Sequence, residues 1–336
     1  MKNILVTGGL GFIGSHTVVE LQASGYRVIV VDDLSNSTVD VLENIEKISG
    51  IKPDFHQLDL RNKSDVQQLF ATTSIDGIIH FAAFKAVGES VHKPLEYYEN
   101  NIGSLVYILQ EMVKHNIKNF IFSSSCTVYG QAETLPITEL EKTKPALSPY
   151  GNTKQVGEEI IIDACNAHQL NAISLRYFNP IGAHDSIHIG ELPLGVPQNL
   201  IPYITQTAIG LRDELSIFGN DYDTKDGTAV RDYIHVVDLA KAHIAALTRL
   251  VNKENTENYE YYNVGTGTGL SVLEIVESFE RVTEQKLNYT IVERRKGDVT
   301  AAFADNTLVT SKLKWQPEKS LDDALRSAWE WQKKNT

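Results

Sequence analysis

Short apolar runs alternate with stretches of helical periodicity from the first residues of this chain onward. Ile4-Leu5-Val6 is an uninterrupted apolar run, and Gly11 to Ala23 follows with Ile13, Val18 and Leu21 among its apolar positions. Val28-Ile29-Val30-Val31 reads as a second strand and Phe55 to Leu58 as a short third. Ile78-Ile79-His80-Phe81, Phe120-Ile121-Phe122 and Ala172-Ile173-Ser174-Leu175 make a fourth, fifth and sixth. Strands this apolar, separated by helices, predict a parallel sheet covered on both faces.

The pattern changes after Asn179. Ile181 to Pro202 is rich in Gly and Pro with scattered polar residues and reads as loop; a loop this long in a compact domain is usually functional. Helices are expected near Ile201 to Gly210 and Val237 to Leu250, and strands at Tyr261 to Val264 and Leu287 to Val292. Leu321 to Trp331 has the spacing of an amphipathic helix. The reading is α/β: a doubly wound parallel sheet over residues 1–180, then a smaller mixed α/β substrate domain over residues 181–336. Later segments are allowed to return to the sheet.

The turn after the first strand carries the first chemical signal. Gly8-x-x-Gly11-x-x-Gly14 leaves a strand and opens a helix. One glycine permits the tight turn, another lets backbone approach a pyrophosphate, and the third lets helix pack on strand. The helix N-terminus then offers free N–H groups and a partial positive charge to the phosphates. Asp32 ends the next strand, about 20 residues on; its carboxylate suits ribose hydroxyls and repels a 2′-phosphate, which favours NAD over NADP. Asp59 ends the third strand and reads equally as an adenine contact or a turn residue.

Tyr150 and Lys154 lie four apart in a helical segment and so share a face. A free tyrosine has a pKa near ~10. An ammonium and a cationic nicotinamide beside it favour the phenolate. Tyr150 is then positioned to take a proton from a substrate hydroxyl while hydride leaves the same carbon. Ser123-Ser124-Ser125 follows the fifth strand and supplies a hydroxyl for the same oxygen.

Composition narrows the partners. A formal net charge of -12 argues against nucleic acid, which calls for a basic face. The two cysteines, Cys126 and Cys165, suggest neither a disulfide framework nor a metal site. No charged leader with an apolar core precedes the first strand, and no apolar run reaches the ~18 residues of a membrane helix. A cytoplasmic location is expected, with no membrane partner.

These residues resemble the extended short-chain dehydrogenase/reductase family of Rossmann-type folds, and within it the UDP-hexose 4-epimerases. The likeness spans essentially the whole chain. It rests on Gly8 to Gly14, His80 to Ser90, Ser123 to Gly130, Ser148 to Gly151, Arg176 to Pro180 and Gly227 to His235. The resemblance implies reversible C4 epimerisation of UDP-galactose and UDP-glucose through a transient 4-keto sugar, with a tightly held NAD that is recycled, a place in galactose metabolism, and a homodimer. Tyr150 would be the base, Lys154 would tune it, and Ser125 would assist at the 4-hydroxyl. Gly8, Gly11, Phe12, Ile13, Gly14, Asp32, Asp33, Asp59, Leu60, Phe81, Ala82, Ala83, Lys85, Asn100 and Tyr177 would join Tyr150 and Lys154 around the cofactor. The sugar nucleotide would meet Lys85, Ser125, Tyr150, Phe178, Asn179, Asn199, Leu200, Phe218, Arg231, Arg295, Asp298 and Ala302. Two arginines suit a diphosphate through charge-assisted hydrogen bonds.

Ala302 stands where some members of the family place a tyrosine against the sugar. Its small side chain should open room near C2 of the hexose, so UDP-GalNAc and UDP-GlcNAc are expected as further substrates. A 4,6-dehydratase would need an acid–base pair after Thr127, where this chain has Val128-Tyr129-Gly130. Decarboxylation of a UDP-uronic acid uses the same Tyr/Lys chemistry and is disfavoured by the epimerase-like segments. A pure NAD sensor would not need the Tyr/Lys pair. For the dimer, the expected surfaces are apolar helix faces near residues 100–112 and 148–164.

Overall fold

The computed structural model describes every residue of the chain except Lys296. Its first half runs β1 (Asn3–Thr7), α1 (Phe12–Ala23), β2 (Arg27–Asp32), α2 (Asp40–Ser49), β3 (Asp54–Gln57), α3 (Lys63–Thr72) and β4 (Gly77–His80). Next come α4 (Val87–His92), α5 (Pro94–Tyr98), a π-helical turn (Glu99–Gly103), α6 (Ser104–Lys114), β5 (Asn119–Ser123), a 3-10 turn (Cys126–Tyr129), α7 (Pro149–His168) and β6 (Asn171–Tyr177). The second half holds β7 (Asn179–Ile181), α8 (Leu200–Ala208), β8 (Leu215–Phe218), β9 (Val230–His235), α9 (Val236–Val251), β10 (Tyr259–Val264) and β11 (Gly269–Ser271). It closes with α10 (Val272–Thr283), β12 (Tyr289–Val292), β13 (Ala301–Ala302), α11 (Thr307–Leu313) and α12 (Leu321–Lys334).

The six strands expected from the first half are present and parallel, in the order β3-β2-β1-β4-β5-β6. Successive residues of β1 serve opposite cores, as the period of two requires. Ile4 and Val6 pack with Val18 of α1, while Leu5 packs with Ile108 and Met112 of α6 on the other face. The strand order reverses between β1 and β4, which opens a crevice at the carboxyl ends of those two strands.

Beyond residue 180 the chain does not stay apart from this sheet. β10 pairs with β6 along its whole length and becomes the seventh strand. Helix α9 buries Leu239, Ala242, Ala246, Leu247 and Leu250 in the same core as β1 and α1. The remaining segments form their own layer. β9 is flanked by β11, β13 and β7, and β8 pairs with β12. Their core gathers Ile204, Ile217, Phe279, Leu325 and Trp329.

The 181–202 stretch is irregular apart from the end of β7, the first residues of α8 and one bridge between Ala183 and Gly190. It packs closely all the same: a Cβ on Gly190 would lie 2.6 Å from the Trp331 ring. Among the described residues no helix is long and apolar enough to cross a membrane.

Candidate active site

The glycine loop sits at the crevice. Gly8 has φ of +67°, and a Cβ there would stand 2.8 Å from the Ala82 amide nitrogen. On Gly14 a Cβ would come within 2.1 Å of the Gly8 carbonyl oxygen, so α1 reaches its strand only without a side chain. Gly11 differs: its Cβ would meet just the Gly8 carbonyl, at 3.3 Å, leaving the approach open. It is the N-cap of α1 and makes no side-chain cap, so the amides of Phe12 and Ile13 open onto the crevice without one.

Asp32 is buried at the end of β2. Its Oδ2 accepts from the Leu10 amide at 3.0 Å, and Oδ1 accepts from the Leu34 amide at 3.0 Å and Ser37 Oγ at 2.8 Å. The carboxylate thereby fixes the glycine loop as well as facing it. Asp33 accepts from the Ser35 hydroxyl and amide. Asp59 is engaged by Arg61, with Nε at 3.0 Å and Nη2 at 2.8 Å, and this pairing holds its carboxyl below the usual range. Leu60 beside it is buried in the sheet core. Phe81, Ala82 and Ala83 leave β4 half-buried, and the Phe81 ring lies 4.7 Å from the His243 ring. His243 also faces Tyr177 at 5.9 Å, a link between α9 and both aromatics that sequence spacing did not reveal.

Helix α7 starts at the Tyr150–Lys154 pair. Ser148 caps it by accepting from the Gly151 amide at 3.1 Å, with Pro149 at the first turn. Tyr150 and Lys154 then rise on one face. The Lys154 ammonium is buried, donates to the Ser123 carbonyl at 2.6 Å, and stands 5.8 Å from the Tyr150 ring centroid. The Ser123 hydroxyl pairs with that of Tyr177 at 2.5 Å.

The sequence led us to expect a phenol lowered by Lys154 together with a cationic nicotinamide. The protein alone does the reverse. Burial pushes the Tyr150 phenol far above its ordinary value, Tyr177 adds to the rise, and the Ser125 hydroxyl pulls it back. Burial lowers Lys154 to about 8 against the attraction of Glu158. Desolvation is the largest cause at both groups, so the protein alone favours the neutral phenol.

The second group of expected residues lines the facing layer. Arg231 on β9 is 3.7 Å from Asp298, and Arg295 forks onto the same carboxylate with Nη2 to Oδ1 at 3.0 Å. Arg295 also lies over Phe218, which is 42% exposed at the end of β8. Ala302 pairs in register with Arg231 and is packed with Phe178, Val128 and Tyr129. Asn179 opens β7, and Leu200 is the first residue of α8. Lys85 and Asn199 are exposed, and both donate to Glu191 Oε1, at 3.1 and 2.6 Å.

Asn100 lies on the π-helical turn, its amide donating to Asn101. Such turns recur at functional sites. Asn101 itself binds both backbone groups of Phe84 and the Thr153 hydroxyl, so it ties the Lys85 loop to α7. Glu191 and Asn101 were not found from the sequence. Each is a polar residue in an unremarkable local pattern, and only tertiary packing reveals its partners.

Comparison with known proteins places this geometry. A family model described as GDP-mannose 4,6 dehydratase matches residues 5–328. The UDP-glucose 4-epimerase of Dictyostelium discoideum is 50% identical over 333 residues, covering 99% of this chain and 96% of the relative. The crystal structure of the Bifidobacterium longum UDP-glucose 4-epimerase, in complex with NAD+ and UDP, has a TM-score of 0.95 at 46% identity, covering 99% of both chains. That of the Stenotrophomonas maltophila UDP-glucose-4-epimerase, with bound NAD and formylated UDP-arabinopyranose, has a TM-score of 0.96 at 45% identity, covering 100% of this chain and 99% of the other. With Val128 and Tyr129 buried after Thr127 where a dehydratase would need carboxylates, and relatives at near half identity all along its length, the chain belongs to the UDP-glucose 4-epimerase family of extended short-chain dehydrogenase/reductases.

Proposed function

We propose that this protein interconverts UDP-galactose and UDP-glucose at C4, using one tightly held NAD that is regenerated in each turnover. The observation that carries the reading is the Tyr150–Lys154 pair on α7, a half-buried phenol beside a buried ammonium that donates to the Ser123 carbonyl. NAD fits the residues present. Gly11 leaves the pyrophosphate approach clear, and a buried Asp32 carboxylate is incompatible with a 2′-phosphate.

When bound, NAD would supply the hydride acceptor and donor for C4 and a positive charge beside Tyr150. The chain's residues do the rest. Tyr150 accepts the C4 hydroxyl proton as the 4-keto sugar forms and gives it back to the oxygen afterwards. Ser125 hydrogen-bonds the same oxygen. Lys154, fixed by the Ser123 carbonyl, holds its charge near the phenol. Gly8, Phe12, Ile13, Gly14, Asp33, Asp59, Leu60, Phe81, Ala82, Ala83, Asn100 and Tyr177 complete the cofactor contacts.

Arg231 and Arg295 neutralise the diphosphate, with Asp298 setting both guanidinium groups. Anchored there, the UDP stays while the keto sugar turns to present its opposite face. Lys85, Phe178, Asn179, Asn199, Leu200 and Phe218 complete the sugar-nucleotide contacts. Ala302 presents only a methyl group beside Phe178, which supports turnover of UDP-GalNAc and UDP-GlcNAc as well.

We read residues 1–180 as the NAD-binding part, with α9 and β10 returned to it, and residues 181–336 as the UDP-sugar part. A homodimer through the α4 to α7 side is supported by Val91 at 57%, Leu95 at 81% and Ile162 at 36% exposure; the apolar face expected at residues 100–112 is instead packed on the protein's own sheet, with Leu105, Ile108, Leu109 and Met112 buried there. The free thiols of Cys126 and Cys165 accord with the reducing cytoplasm, where galactose metabolism is the expected setting.

The test is epimerisation of UDP-galactose by the purified protein with no NAD added. UDP-glucose should form, and Tyr150→Phe should lose activity by about 10²–10⁴-fold while keeping its bound cofactor. No product from the native protein, even with NAD supplied, would remove the reading.

A further inference from the structure

Glu158 lies buried on α7, one turn beyond Lys154 and two beyond Tyr150. Its Oε1 accepts from Ser124 Oγ at 2.5 Å and from Arg176 Nε at 2.9 Å, and its Oε2 accepts from Arg176 Nη2 at 2.5 Å. Ser124 is 0% and Arg176 5% exposed. The Arg176 guanidinium lies 4.1 Å from the centre of the Tyr261 ring and donates to the Tyr129 hydroxyl at 3.0 Å. That hydroxyl donates to Asn263 Oδ1 at 2.8 Å, and Asn263 Nδ2 donates to the Ile137 carbonyl at 2.9 Å. The Ile137 amide in turn donates to the Phe303 carbonyl at 2.8 Å.

An unbroken polar chain therefore runs from the catalytic serine segment to the residue after Ala302. Stability alone does not account for it. A buried ion pair is often no better for folding than apolar groups of equal volume. A fully satisfied polar network does, however, specify one arrangement of the groups it joins. Here those groups include the reacting centre. The Ser123 carbonyl holds Lys154, Ser124 is clamped to Glu158, and Ser125 is the next residue along.

We propose that Glu158 and Arg176 are positioning residues for the epimerisation: they clamp Ser124, and with it Ser123 and Ser125, in register with Tyr150 and Lys154, and extend the same constraint to the sugar side through Tyr129, Asn263 and Ile137. This rests on the roles given above to Tyr150, Lys154 and Ser125. Electrostatics act in the same direction, because the Glu158 carboxylate favours the Lys154 ammonium against its burial. The other ionisable groups facing Glu158 are Arg176 on β6, Tyr129 after β5 and Tyr259 on β10, with Glu139 acting on Arg176. Lys154 also faces His80 of β4, which burial keeps neutral, and Tyr150 on its own helix.

The experiment compares native holoenzyme with Ser124→Ala and Glu158→Gln, using UDP-galactose turnover across pH, cofactor content and melting temperature. Ser124→Ala leaves the ion pair in place. It should lower kcat about tenfold, the size of one lost hydrogen bond in the transition state, with KM and cofactor content unchanged. Glu158→Gln should move the alkaline limb of the kcat profile to lower pH, whereas a purely structural loss would lower kcat equally at every pH. Native kcat in Ser124→Ala overturns the proposal, and so does an unshifted profile in a folded Glu158→Gln. If Glu158→Gln does not fold, Ser124→Ala decides alone. A native protein that turns over no UDP-galactose overturns the underlying reading instead, so the two failures are distinct.

Discussion

Tyr150 shows how a residue's place can be legible while the titration of its side chain is not. The four-residue spacing to Lys154 and the helix they share were legible from the sequence. The pKa was not, because desolvation depends on burial that no local pattern encodes. Lys154 yields a pH prediction. Its folded pKa is lowered to about 8, so its charge is present below that pH and lost above it. kcat should fall as pH rises through that range, and Lys154→Arg should flatten the fall, because a guanidinium stays charged. A pH–rate profile of each protein checks this. Ala302 is the other residue whose meaning was local. A302Y should cut UDP-GalNAc turnover at least tenfold, the range of a bulky clash in a fitted pocket, while keeping most activity on UDP-galactose. Assaying both substrates with both proteins is the test.

At the scale of elements, the buried parallel strands were plain because each is a continuous apolar run between helical stretches. The small strands β7, β9, β11 and β13 were not. Val230 to His235 alternates charged, polar and apolar residues. It becomes a strand because Asp232, wholly buried, collects the Thr266, Gly267 and Ala304 amides and the Thr266 hydroxyl. That partner set spans more than 70 positions, out of reach of any window. The start of α7 was legible, since Ser148-Pro149 is a capping signal with a mechanism. Ser148→Ala should cost about 1 kcal/mol of stability, read by denaturant midpoint. It should also slow turnover, because the first turn of α7 carries Tyr150.

At the scale of the whole molecule, the proposed reading puts NAD in the crevice between β1 and β4 and the UDP-sugar on the layer carrying Arg231 and Arg295, so the two parts must meet at Tyr150. The sequence indicated two parts and allowed later segments to return to the large sheet, but not that β10 and α9 would be the ones. Those segments satisfy the free edge of β6 and the open face of α1, needs that arise only once the sheet exists. Four buried histidines are held without charge: burial lowers His16 and His80 to about 3 and His235 and His243 to about 4. Folded values lie below unfolded ones, so the unfolded chain takes up protons first as pH falls. Stability should therefore decline from about pH 6.5 downward, by at most ~1.4 kcal/mol per histidine per pH unit, until the folded values are reached. Denaturant unfolding at a series of pH values measures the slope.

The central claim is that hydride leaves and re-enters the same carbon within one closed site. UDP-galactose carrying deuterium at C4, turned over in ordinary water with no added NAD, tests it most directly. The account predicts UDP-glucose with the deuterium retained at C4. Product whose C4 label has been lost to solvent would contradict it.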